Sequence, residues 1–155
     1  MPKEIERKFL VSGDGWKAEV RESRHYRQGY MPTTEVCSVR VRVAGDKAHL
    51  NIKSGTLDVT RHEFEYAIPV NEAEELLDLL CQRPQIEKTR HFVDHGDHTW
   101  EVDVFEGDNA GLVVAEIELS DADEAFARPD WIGEEVSDDI RYYNNQLVEH
   151  PYKDW

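Results

Sequence analysis

A chain of 155 residues has room for one buried core and too little for two ordinary domains. Its formal net charge of −15 disfavours nonspecific binding to nucleic acid or to an anionic membrane. Four Trp, six Tyr and five Phe exclude a disordered acidic tract, which lacks large apolar groups. No stretch is apolar for long enough to cross a bilayer, and Met1-Pro2-Lys3-Glu4 opens charged with no apolar signal core behind it. Cys37 and Cys81 form no C-x-x-C pair, so reduced, partly buried thiols and a cytoplasmic setting are expected.

In chain order, residues 3–11 read as a first alternating strand and 14–22 as a short helix. Strands follow at 25–31, 36–44, 47–53 and 60–69, with Ala44-Gly45-Asp46 as a tight hairpin turn. Residues 71–82 carry the strongest helical signal, with Asn71 as expected N-cap and Leu76, Leu77, Leu80 and Cys81 on one stripe. Strands at 85–94 and 98–105 flank a second tight turn, His95-Gly96-Asp97, and a looser turn at Glu106-Gly107-Asp108-Asn109 leads into a strand at 112–119. Short helices are expected over 121–127, capped by Ser120, and over 138–149, with Ile140, Tyr143 and Leu147 on one side. The sum is an α+β fold in a single domain spanning 1–155, eight antiparallel strands with three or four helices.

Residues i and i+2 of a strand face the same way. By that rule Glu4, Glu6 and Lys8 share a face, as do Arg40 with Arg42, and Arg61 with Glu63 and Glu65. Lys88 pairs so with Arg90, Glu101 with Asp103, and Glu116 with Glu118, while Lys53 joins from the fourth strand. An ordinary half-solvated sheet explains any one of these strands. It does not explain charges segregated by strand, because like charges two residues apart repel unless something of opposite sign lies between them. Carboxylate pairs invite a hard cation such as Mg²⁺ or Mn²⁺, and Arg pairs invite phosphate. If the charged faces close inward, the interior must bind something ionic, and helices must cover the apolar faces outside.

The ordered series Glu4-x-Glu6-x-Lys8, Arg40-x-Arg42, Glu63-x-Glu65, Lys88-x-Arg90, Glu101-x-Asp103 and Glu116-x-Glu118 resembles the CYTH domain of the triphosphate tunnel metalloenzymes. The stretch GEEVSDDIRYYNNQLVEHP is similar to the end of its short bacterial members, the inorganic tripolyphosphatases. The resemblance implies an eight-stranded antiparallel β-barrel, a tunnel in which one or two Mg²⁺ or Mn²⁺ ions support hydrolysis of the terminal phosphoanhydride of a triphosphate. It implies that Arg40, Arg42, Lys53, Lys88 and Arg90 clamp the phosphates, and that Lys8 lies near the phosphoryl group under attack. Glu4, Glu6, Asp103, Glu116 and Glu118 become the metal-facing acids. Glu63, Glu65 and Glu101 take a metal or water role, with Glu65 the candidate catalytic carboxylate, or else pair with Arg61, Lys53 or Lys88. Arg61 is clamp or scaffold, and Tyr26, Gln28 and Tyr30 fill the barrel. Thiamine or nucleoside triphosphatase and class IV adenylate cyclase activities share this fold, and a non-catalytic polyphosphate-binding module is the contrasting class. The expected partner is a small polyanion, with the chain a monomer or homodimer. Scattered His without zinc-ligand spacing, and the lack of a Gly-rich phosphate loop, point away from zinc and P-loop chemistry.

Overall fold

The computed structural model describes residues 5–54 and 62–155, so Glu4, an expected metal ligand, and Arg61, an expected clamp or scaffold, lie outside the described residues. They form nine strands, all paired antiparallel, with two short α-helices. The chain divides into two compact units, Met1–Arg24 with Lys88–Trp155, and His25–Glu87.

In the first unit β1 (Ile5–Val11), β6 (Ile86–His95), β7 (His98–Phe105), β8 (Val113–Leu119) and β9 (Ile132–Glu135) run in the order β6-β7-β8-β1-β9. Alternation gives this sheet two unlike faces. One buries Phe9, Val93, Trp100, Val102, Ala115 and Ile117 in a continuous apolar core. The other carries Lys8, Arg90, Glu101, Asp103 and Glu116. The apolar face is covered by Trp16 and Trp131, and by Phe126, whose ring meets Phe9 and Trp100 edge-on at 6.0 and 5.8 Å. Helices were expected to do this. Instead Gly15–Glu19 is a single 3-10 turn, and β2 already begins at Val20. Residues 121–127 form a turn, because the Glu124 carboxylate accepts from the Ser120 N–H and the Asp121 carboxylate from the Asp123 N–H, holding the chain out of helical geometry.

The ninth strand was not foreseen. Its four residues, Ile-Gly-Glu-Glu, show no alternation, and its pairing is supplied by β1 through Phe9↔Glu135 and Val11↔Ile132. The bidentate Arg7–Glu135 ion pair fastens it: Arg7 Nε lies 2.9 Å from Glu135 Oε2, an Nη atom bonds Oε1, and the guanidinium stacks over Phe126 at 5.0 Å. Arg7, on the opposite face from Glu6 and Lys8, is therefore scaffold.

In the second unit β2 (Val20–Tyr30), β3 (Cys37–Ala44), β4 (Lys47–Ser54) and β5 (Glu63–Ile68) run in the order β5-β4-β3-β2. The β3–β4 hairpin closes Ala44↔Lys47 across a two-residue loop in which Gly45 takes φ +62°, open to glycine at little cost. Helix α1 (Val70–Leu79) buries Ala73 and Leu77 against Val41, Val43 and Ala48. It starts one residue earlier than the sequence suggested: Pro69 occupies the N-cap position, which places Asn71 inside the first turn. Gly29 on β2 lets this helix approach, since a Cβ there would lie 3.1 Å from Leu77 Cδ2 and 3.2 Å from Cys81 Cβ. Residues 138–149 split into a 3-10 turn, Ile140–Tyr142, and α2 (Asn144–Glu149), where Leu147 is buried and Ile140 faces solvent. Both cysteines are free thiols, and no described helix is long and apolar enough to cross a membrane.

Candidate functional site

The charged face of the first unit is built by register. Counting outward from the Gly96-Asp97 turn sets Arg90 opposite Asp103, while β7–β8 pairing sets Glu101 opposite Glu116 and β1–β8 pairing sets Lys8 opposite Glu116. Two acids facing each other across neighbouring strands repel, so cations are drawn between them. Lys8 Nζ bonds Glu116 Oε1. Arg90 bridges three acids: its Nε lies 2.8 Å from Asp103 Oδ1, and its Nη atoms reach Glu101 at 2.8 Å and Glu116 at 3.4 Å. Lys88, fully buried, holds Asp103 Oδ2 at 2.8 Å.

Glu6, Glu101 and Glu116, on the adjacent strands β1, β7 and β8, bring one carboxylate oxygen each to within 4.8 Å of one another. Burial is the largest influence on the Glu101 carboxyl and raises it above the ordinary range; Arg90 opposes this, and Glu116 and Asp103 add to it. For Glu116 burial also pushes upward, yet a hydrogen bond with Glu6 and the charges of Lys8, Arg90 and Lys88 outweigh it and hold the carboxyl low. Carboxyl groups close enough to share a proton are where a hard cation can take the proton's place, and an all-oxygen donor set suits Mg²⁺ or Mn²⁺. The residues present therefore fit such an ion.

Two further expected ligands lie on the same face. Asp103, one of the expected metal-facing acids, is almost wholly buried and engaged by Lys88 and Arg90. Glu118 is exposed, in register with Glu6.

In the second unit Tyr26, Gln28, Tyr30, Arg40, Arg42, His49, Asn51, Lys53, Glu63 and Glu65 share one face by register. Arg42 Nε donates to Gln28 Oε1 at 2.8 Å, and its guanidinium lies 5.3 Å from the Tyr26 ring. Gln28 is thus more than filler. Arg40 Nε is buried without a hydrogen-bond partner, and neither Arg40 nor Lys53 forms an ion pair among the described residues. A guanidinium donor so placed can donate to an anionic oxygen. Glu63 and Glu65 accept from Asn51 Nδ2 at 2.6 and 3.4 Å. Asn51 escaped the sequence reading, although it stands two residues before Lys53 and the same parity rule places it on this face.

A profile of the CYTH domain family matches residues 2–152. An inorganic triphosphatase of Acetivibrio thermocellus is 51% identical over 155 residues, all of this chain and 99% of that protein. An inorganic triphosphatase of Nitrosomonas europaea is 39% identical over 151 residues, 94% of this chain and 96% of that protein. Among solved structures, a crystal structure of an inorganic triphosphatase is 36% identical, with TM-score 0.74 over 96% of this chain and 95% of that one.

Proposed function

This chain belongs to the CYTH domain family, and we propose that it is a divalent-metal-dependent hydrolase that cleaves the terminal phosphoanhydride of inorganic triphosphate. The observation that carries this reading is the junction of Glu6, Glu101 and Glu116 with Lys8 and Arg90 on one sheet face. Relatives named inorganic triphosphatase at 51% and 39% identity support the substrate class.

Glu6, Glu101 and Glu116 would hold Mg²⁺ or Mn²⁺. Bound there, such an ion neutralises phosphate charge and lowers the pKa of water. The chain's own residues supply the rest. Lys8 and Arg90, released in part from Glu116, donate to the oxygens of the phosphoryl group under attack, where negative charge must be stabilised. Lys88 and Asp103 hold Arg90 in place through a shared carboxylate. On the second unit, Arg40, Arg42 and Lys53 share a face by register, and their guanidinium and ammonium groups suit phosphate oxygens. A carboxylate accepts the proton of the attacking water. The bond from the terminal phosphorus to the bridging oxygen breaks, and orthophosphate and pyrophosphate leave.

The test is product analysis with tripolyphosphate, thiamine triphosphate, ATP and pyrophosphate, each with Mg²⁺ and Mn²⁺. Fastest orthophosphate release from tripolyphosphate, absent under chelator, is expected. Cyclic AMP and pyrophosphate from ATP without orthophosphate would replace the hydrolase reading with a cyclase.

A further inference from the structure

Lys8 is gripped from the C-terminal side of the chain as well as by Glu116. Its N–H donates to Ser137 Oγ at 2.9 Å, and its carbonyl accepts from the Val136 N–H at 2.8 Å. Tyr143 completes this grip. Its hydroxyl donates to the Ser137 carbonyl at 2.7 Å, and its ring centroid lies 4.8 Å from Lys8 Nζ. The backbone at Tyr143 is held by the following helix, because its carbonyl accepts from Leu147 N at 2.9 Å and Leu147 is fully buried.

This geometry answers a conflict inside the proposed site. Glu116 is both the partner of Lys8 and a ligand for the cation, so a bound cation weakens its hold on the ammonium. An aromatic face attracts an ammonium without neutralising it and accepts none of its three N–H bonds in full. We propose that Tyr143 is a positioning residue for the hydrolysis inferred above: its ring keeps the Lys8 ammonium at the acid cluster when Glu116 turns to the cation. The inference rests on that functional reading for its consequence, and on the ring contact for its geometry.

The experiment uses the full chain with Tyr143→Leu and Tyr143→Phe. Tyr143→Leu should lower kcat for tripolyphosphate about tenfold with KM little changed, the size of a lost desolvated cation–π contact. Tyr143→Phe keeps the ring and should recover most of that rate, with a lower Tm from the lost hydroxyl bond. The second readout is the NMR signal of the Lys8 ε-methylene, assigned by through-bond correlation from the Lys8 amide. It should sit upfield in the metal-free wild type and in Tyr143→Phe, and return to the ordinary lysine position in Tyr143→Leu. An unshifted wild-type signal, wild-type kcat in Tyr143→Leu, or equal losses in both variants would overturn the proposal. The wild-type signal needs no variant to fold. If the wild type releases no phosphate from tripolyphosphate the functional reading fails, and the role of the ring is then judged by the methylene shift alone.

Discussion

Arg90 and Asp103 form a bidentate pair on neighbouring strands, with Nε 2.8 Å from Oδ1 and an Nη atom 2.9 Å from Oδ2, and Lys88 closes the same carboxylate from its other side. All three groups are buried. A carboxylate so placed is shared between two cations. Asp103→Ala is therefore expected to destabilise the metal-free protein by about 3–5 kcal/mol, because buried Lys88 and Arg90 lose the carboxylate they share. For a chain of this size that corresponds to a fall in Tm of roughly 10 °C. If Asp103 acted chiefly as a metal ligand, its removal would relieve repulsion and the metal-free Tm would hold or rise.

Glu116 carries the opposite expectation for activity. Glu116→Gln keeps the shape of the side chain and an oxygen for Lys8, but it removes a charge from the cation cluster. Turnover should fall by about 100-fold or more, the equivalent of the several kcal/mol that a bound metal contributes. The fold should persist with a cost of roughly 1–3 kcal/mol, since Lys8 and Arg90 lose part of a charge-assisted bond. Circular dichroism, thermal melts and calorimetric Mn²⁺ titration check the three parts together. Full turnover would remove Glu116 from the metal site.

Arg42 tests the proposal that the second unit's polar face binds phosphate. Its Nε is committed to Gln28, and one side of its guanidinium plane to Tyr26. Arg42→Ala should weaken substrate binding by roughly 2–4 kcal/mol, seen as a raised KM. Arg42→Lys should restore little, because an ammonium cannot keep the Nε bond and present a planar fork at once. An unchanged KM in both variants would separate Arg42 from the substrate.

Parity along single strands made much of this site readable in advance. Lys8, Arg90, Glu101, Asp103 and Glu116 fall on one face because each strand alternates, and no tertiary knowledge is needed for that. Register was readable too, though only by counting outward from the turns. The Gly96-Asp97 turn pairs Arg90 with Asp103, and the Gly45-Asp46 turn pairs Arg40 with Asn51. That count sets Asp103 beside Arg90 and brings Asn51 onto the face of Arg40. What local pattern cannot supply is contact across the chain. Arg7 meets Glu135 and Lys8 meets Ser137 at sequence separations of 128 and 129, and β9 exists only because β1 offers it an edge.

The Arg7–Glu135 pair gives the acid sensitivity of the fold a specific source. A hydrogen bond from Arg7 is the largest influence on the Glu135 carboxyl, and together with the Ser137 hydroxyl it lowers the group from its ordinary 4.5 to about 2. A carboxyl whose folded pKa is depressed adds stability above its unfolded value and loses it as pH falls toward the folded one. The contribution should therefore be complete above about pH 4.5 and disappear between there and about pH 2. Glu135's side chain is 30% exposed, so solvent screening reduces the contribution to about 1 kcal/mol. Chemical denaturation at a series of pH values for wild type and Glu135→Gln isolates it from the other acids. The two curves should differ by that amount at pH 6 and converge as pH approaches 2, because the variant has no carboxyl to titrate. Parallel curves across the acid range would show that β9 is held by its backbone pairing and the Phe126 stack without help from this charge.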